Sequence, residues 1–102
     1  MEKRKPHYSL DAIKKQFRGP KGFRITVTAQ DFAFGVLGLD RQGIIDLVAN
    51  VRDSQFHKSM TSYRRSSVWQ DIYHVAHEGV VLYVKFTQDT DGFYLLISLK
   101  DK

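Results

Sequence analysis

The sequence contains no cysteine, only two prolines, a single tryptophan and no long apolar run. Without thiols there is no disulfide, no zinc–thiolate centre and no cysteine nucleophile, a usage that fits a reducing cytoplasm. No stretch approaches the ~20 apolar residues that span a bilayer. The opening "MEKRKPHYSLD" carries basic residues with no apolar segment behind them, which is not the layout of a secretory signal. A cytoplasmic chain without membrane association is expected. Carboxylates are few and scattered, 11 Asp+Glu against 16 Lys+Arg. Two-metal nucleases need clustered carboxylates, and the tight pair here, Asp89 and Asp91, stands beside Gly92 in a turn signal. His74 and His77 are spaced so that a strand points them to opposite faces, which argues against zinc. Phosphate-loop and dinucleotide glycine fingerprints are missing, and the glycines of "FGVLGLDRQG" read as helix punctuation. No metal and no cofactor is expected.

What is present suits one domain, residues 1–102, with a basic arm over 1–8. The hydrophobic share of 42% is enough for one core at this length. The excess of Lys and Arg leaves a net charge of +5, which points to a polyanionic partner or to a generally basic surface.

After the arm, Ser9 is placed to cap a helix in which Leu10, Ile13 and Phe17 share a face, ended by "RGPKG". "FRITVT" alternates Phe23, Ile25 and Val27 with polar residues and predicts a strand. Thr28 is expected to cap a short helix carrying Phe32 and Val36. Asp40 is expected to cap another, with Ile44, Ile45, Leu47, Val48 and Val51 as its apolar stripe. Four strands follow, near 56–63, 68–75, 80–87 and 93–100. Their short polar connections "RRSS", "AHEG" and "QDTDG" favour an antiparallel meander. The fold class is α+β, with N-terminal helices packed on a mainly antiparallel sheet.

Strand alternation sorts the side chains. Leu82, Val84 and Phe86 share one face, Tyr83 and Lys85 the other. Phe56, Lys58 and Met60 are expected together, opposite His57, Ser59 and Tyr63. Gln70, Ile72 and His74 oppose Trp69, Asp71 and Tyr73, while Tyr94, Leu96, Ser98 and Lys100 share a face. One sheet surface then collects Lys58, Gln70, Tyr83, Lys85 and Lys100.

These residue types suit metal-free RNA cleavage, in which a ribose 2′-hydroxyl attacks the adjacent phosphorus and a cyclic phosphate remains. The protein must move two protons and stabilise extra negative charge. Lysine supplies charge, tyrosine a proton relay or phosphate contact, and glutamine an orienting amide. Aromatics such as His57, Tyr63, Trp69 and Tyr73 can stack splayed bases. Each has an ordinary reading as well: Trp69 and Met60 as core, Arg64 and Arg65 as a solvated turn, Tyr83 and Lys85 as exposed strand, and His7 as incidental. The residues alone leave RNA binding and RNA cleavage both open.

"EKRKPH" followed by "IKK", then "LGLD", "F-KSMT-Y" at 56–63, "WQD-Y" at 69–73, "Y-K" at 83–85 and "S-K-K" at 98–102 form a specific combination. Through these motifs the chain resembles the motility quorum-sensing regulator (MqsR) family of RelE-like mRNA interferase toxins. The likeness runs nearly the whole length and is weakest from Gly19 to Phe34. It implies a RelE-like microbial RNase fold and a toxin of a type II toxin–antitoxin system that cuts mRNA without a metal. It also implies a cognate antitoxin that binds zinc and carries a helix-turn-helix DNA-binding domain, so that DNA is met only through the antitoxin. By the same resemblance the catalytic residues fall on Lys58, Gln70, Tyr83 and Lys100. An RNA-contacting methionine falls on Met60, and His57, Tyr63, Arg64, Arg65, Tyr73, His74 and Lys85 are the accompanying RNA-binding candidates. Two positions depart from the family pattern: His57 stands where a tyrosine is common and His74 where an arginine is common. The alternatives from other classes are a non-catalytic RNA-binding module and an antitoxin-binding regulatory protein.

Overall fold

The structure, a computed structural model, describes residues 1–65 and 67–102. It comprises a short edge strand β1 (Glu2–Lys3), three helices, α1 (Leu10–Arg18), α2 (Val27–Gly35) and α3 (Arg41–Ala49), a 3-10 turn (Asp53–Gln55), and four long strands. These are β2 (Phe56–Thr61), β3 (Trp69–His77), β4 (Val80–Gln88) and β5 (Tyr94–Asp101). The sheet is antiparallel throughout in the order β1-β2-β3-β4-β5. The expected α+β class and the meander are therefore present.

The helices form where their caps permit. Ser9 accepts a hydrogen bond from Ala12 N, satisfying one free amide of the first turn, and Asp11 with Arg18 complements the helix dipole. Leu10, Ile13 and Phe17 point inward, each contributing roughly 1.5–3 kcal/mol on burial. Asp40 caps α3 through Gly43 N at 2.8 Å, turning Ile44, Leu47 and Val48 inward. The helices cover one sheet face, where Tyr73, Val75, Leu82, Val84, Phe86, Leu96 and Leu99 complete the core.

Four expectations are corrected. "FRITVT" is not a strand: the cap is Thr26 rather than Thr28, and Thr26 accepts from Ala29 N. The alternation of Ile25 and Val27 imitates a strand, but only one parallel bridge forms, Ile25 to Leu96, and Val27 already stands exposed on the helix. In α2 the buried positions are Ala29 and Ala33, while Val36 is 64% exposed. A β-bulge between Phe56 and Lys58 sends Phe56 to the core with Tyr73, so it does not lie with Lys58 and Met60. A second bulge, at Lys85/Phe86, pairs Phe86 with Leu96 but Lys85 with Ser98. Tyr94 and Leu96 therefore lie on the helix side and Ser98 and Lys100 on the other. A bulge adds one residue and reverses every side chain beyond it.

The turns follow their residues. Glu78 and Gly79 both have positive φ, 46° and 83°, as a two-residue hairpin turn with matching twist requires. Asp89 closes the β4–β5 turn by accepting from Asp91 N and Phe93 N. In the β2–β3 connection, Ser66 of "RRSS" lies outside the described residues.

Candidate functional site

The face opposite the helices carries the candidate residues in rows set by the pairing register. One row runs Lys58–Ile72–Lys85–Ser98 across β2 to β5, and the next runs His74–Tyr83–Lys100. On the other side of the first row, Met60 pairs with Gln70. Lys58, Gln70, Tyr83, Lys85 and Lys100 thus share one side of the sheet, as alternation requires. They do not meet at one point: at ~3.4 Å per residue, Gln70 is roughly 13 Å along the sheet from the level of Tyr83. The arrangement is a track with two lysines at its middle, longer than one phosphodiester.

Ile72 sits in the centre of this open side yet is 1% exposed. Its cross-strand neighbours are Lys58 and Lys85, and lysine stems in such positions can cover an apolar side chain while their ammonium groups reach water. The same packing explains Lys85, which is half-buried. Burial lowers its pKa below the usual lysine value, helped by the charges of Lys100 and Lys58. Lys100 is exposed, with Nζ 5.9 Å from the Tyr83 ring centroid.

The bulge at Phe56 turns His57 onto this face. Its ring stacks on His74 with centroids 4.2 Å apart and planes 23° apart, and His74 meets Tyr83 edge-on at 4.9 Å. Burial lowers the His74 pKa below the usual imidazole value, and the charges of His57 and Lys102 add to the effect.

Glu2, which the sequence reading passed over, reaches the same face. Paired through β1 with Met60, it places Oε2 3.2 Å from Lys58 Nζ. The arm is fixed from beneath. Asp71, fully buried on the helix side, accepts from His7 N, from Tyr8 N at 2.9 Å and from Ser59 Oγ at 2.6 Å. Tyr8 donates its hydroxyl to Trp69 O at 2.9 Å. His7 is therefore not incidental: its ring stacks on Trp69 at 5.1 Å, and Lys3 Nζ lies 4.2 Å from the Trp69 ring centroid. Trp69 serves as the platform for the arm and faces away from Lys58 and Gln70. A signal was available, since alternation already puts Trp69 and Asp71 opposite Gln70.

Tyr73 is a correction among the candidates. It is 0% exposed, packed between Phe56 and Phe86 beneath the helices, and no base can reach it. Tyr63, Arg64 and Arg65 stand exposed in the β2–β3 connection, with Tyr63 fully open to solvent. A separate cleft of about 480 Å³ opens on the helix side between α3 and the end of β3, and His77 rather than His74 lines it. Among the described residues no group of three or more His, Cys, Asp or Glu is arranged to hold a metal. No described helix is long and apolar enough to cross a membrane.

Chemically the open face offers three ammonium groups, a phenol, an amide and two stacked imidazoles around a covered apolar floor. Such a surface has the chemistry to receive a phosphate chain, with hydrogen-bond donors and groups able to transfer protons. Residues 5–101 match the family described as "Motility quorum-sensing regulator, toxin of MqsA". Over 102 residues, all of both chains, the sequence is 36% identical to a protein of Escherichia coli (strain K12) named "mRNA interferase toxin MqsR".

Proposed function

The chain belongs to the motility quorum-sensing regulator toxin family, and from that premise we propose that it is the toxin of a type II toxin–antitoxin pair, an endoribonuclease that cuts mRNA and thereby stops translation and growth. The observation that carries the reading is the pair of cross-strand rows, Lys58–Ile72–Lys85 and His74–Tyr83–Lys100, on the side of the sheet that no helix covers. Lys58 and Lys85 meet the scissile phosphate and stabilise the charge that grows on it as the 2′-oxygen attacks. Gln70, with Met60 beside it, orients the nucleotide at one end of the track. Tyr83 donates to a phosphate oxygen or to the departing 5′-oxygen, and Lys100 holds the backbone at the other end. Tyr63, Arg64 and Arg65, exposed beyond β2, extend the basic surface along the RNA. These steps use side chains alone, so cleavage persists in a chelator.

The partner is an antitoxin that covers this basic face. The finer expectation is a zinc-binding antitoxin with a helix-turn-helix domain, through which the toxin meets DNA indirectly, in the cytoplasm where mRNA is found. The test is incubation of purified protein with naked RNA in chelator. Discrete fragments ending in a cyclic phosphate are expected, and Lys58→Ala is expected to lower the rate by ~10²–10³-fold with the fold intact. RNA retained without cutting makes the protein a binder rather than an enzyme. A folded Lys58→Ala protein with full activity removes the assignment.

A further inference from the structure

Attack by a 2′-hydroxyl needs a group that is unprotonated when the RNA is bound. Ammonium groups and phenols ordinarily hold their protons at neutral pH, whereas imidazole changes charge between pH 5 and 8. The open face places two imidazoles beside the proposed phosphate site, His74 by regular alternation and His57 by a bulge that alternation alone does not reveal. His74 Nε2 is buried with no hydrogen-bond partner among the described residues. Protonation there would bury an N–H without an acceptor, so the geometry keeps this ring neutral. Two imidazolium rings with centroids 4.2 Å apart would repel each other. The charged and titratable groups sharing the face are Glu2 of β1, Lys58 of β2, Tyr83 and Lys85 of β4, Lys100 of β5 and Lys102 beyond it. Cations outnumber the carboxylate in that rim, and they oppose a second proton.

We propose that His57 is a catalytic residue that takes the 2′-hydroxyl proton, with His74 as the positioning residue whose flat, neutral ring holds it in place. This rests on the ribonuclease reading. The 2′-O–H bond breaks and its proton passes to an unprotonated ring nitrogen of His57. The 2′-oxygen–phosphorus bond forms as the phosphorus–5′-oxygen bond breaks, and the 5′-oxygen takes the hydroxyl proton of Tyr83. The His57 proton then returns to the Tyr83 phenolate through solvent, restoring both groups.

The test is single-turnover cleavage of naked RNA in chelator from about pH 5 to pH 9, with wild type, His57→Asn, His74→Ala and His74→Phe. Wild type is expected to lose rate as acid protonates the imidazole. His57→Asn is expected to be slower by ~10²-fold at neutral pH and to lose that acid limb. His74→Ala is expected to lower kcat about tenfold with KM unchanged, and His74→Phe, which keeps the stack, to recover most of the loss. Should His57→Asn fail to fold, His57→Gln and the wild-type profile decide, and a wild-type rate flat across the acid range overturns the proposal. An active wild type and a dead Lys58→Ala, together with a His57→Asn enzyme of unchanged rate and profile, overturn it while the ribonuclease reading stands. Wild-type protein that cuts no RNA overturns both.

Discussion

Glu2 Oε2 stands 3.2 Å from Lys58 Nζ, joining the N-terminal arm to the lysine at the middle of the open face. The two side chains are 55% and 24% exposed, and an ion pair so open to water adds at most ~1 kcal/mol to stability. Its place matters more than its strength, because the carboxylate stands against the lysine proposed to meet the RNA phosphate. The pairing of Glu2 with Met60 keeps it there. Glu2→Gln is expected to tighten RNA binding by about two- to fivefold at low salt, with a smaller gain at high salt, since exposed charges are screened. Titrating labelled RNA at two ionic strengths checks this, and the denaturation midpoint should barely move.

Asp71 is the buried counterpart of that contact. It accepts from three donors, the His7 and Tyr8 amides of the arm and the Ser59 hydroxyl of β2, while having no accessible surface. Asp71→Ala leaves the His7 and Tyr8 amides without their acceptor, leaves the Ser59 hydroxyl only the longer bond to Gln70 O at 3.3 Å, and opens a cavity, a loss of about 3 kcal/mol. Asp71→Asn, which keeps one carbonyl oxygen, should cost less. Urea denaturation gives the magnitude. Limited trypsin digestion gives the location, with early cleavage after Lys3 and Arg4 expected in the alanine variant.

The sequence makes the open face legible where the pleat is regular. Alternation places Gln70 and His74 with Tyr83 and Lys85, and the register agrees. It fails at two bulges, because an inserted residue leaves no trace in a period-2 pattern: Phe56 crosses to the core, His57 joins His74, and Tyr94 with Leu96 crosses to the helix side as well. The caps at Ser9 and Asp40 are readable from short polar side chains ahead of apolar spacing. Thr26 is not, because β-branched neighbours on both sides imitate a strand. Glu2 escapes notice for another reason, since its position follows from a two-residue strand that only the edge of a finished sheet can create.

Stability should depend on acid through two imidazoles. Burial lowers the pKa of His7, with Lys3 adding to the effect and Asp71 opposing it, and burial with His57 and Lys102 lowers that of His74. The unfolded chain, with histidines near the ordinary 6.5, then binds more protons than the folded one as pH falls through that value. Stability is full above 6.5, declines as pH drops toward the folded values and levels off below them. Thermal melts at fixed ionic strength are expected to show a falling Tm through this window. His74→Phe should make the slope shallower, and an unchanged slope would remove His74 from the account.

Tyr73 gives a prediction that separates core from RNA face. Its ring packs edge-on against Phe56 at 5.5 Å and Phe86 at 6.0 Å, and its hydroxyl is buried with no partner among the described residues. Burial, with the charges of Asp71 and Asp53, pushes that hydroxyl well above the usual tyrosine range. A buried hydroxyl without a partner costs roughly 1–3 kcal/mol, and phenylalanine keeps the ring contacts while removing that cost. Tyr73→Phe is therefore expected to be neutral or to stabilise by about 1 kcal/mol, with RNA cleavage unchanged. Tyr73→Ala, which empties the space between two phenylalanines, should destabilise by about 3–5 kcal/mol. Chemical denaturation and a cleavage assay on the same preparations separate the outcomes. A stable Tyr73→Phe protein with impaired cleavage would place the hydroxyl within reach of RNA, contrary to its burial beneath the helices.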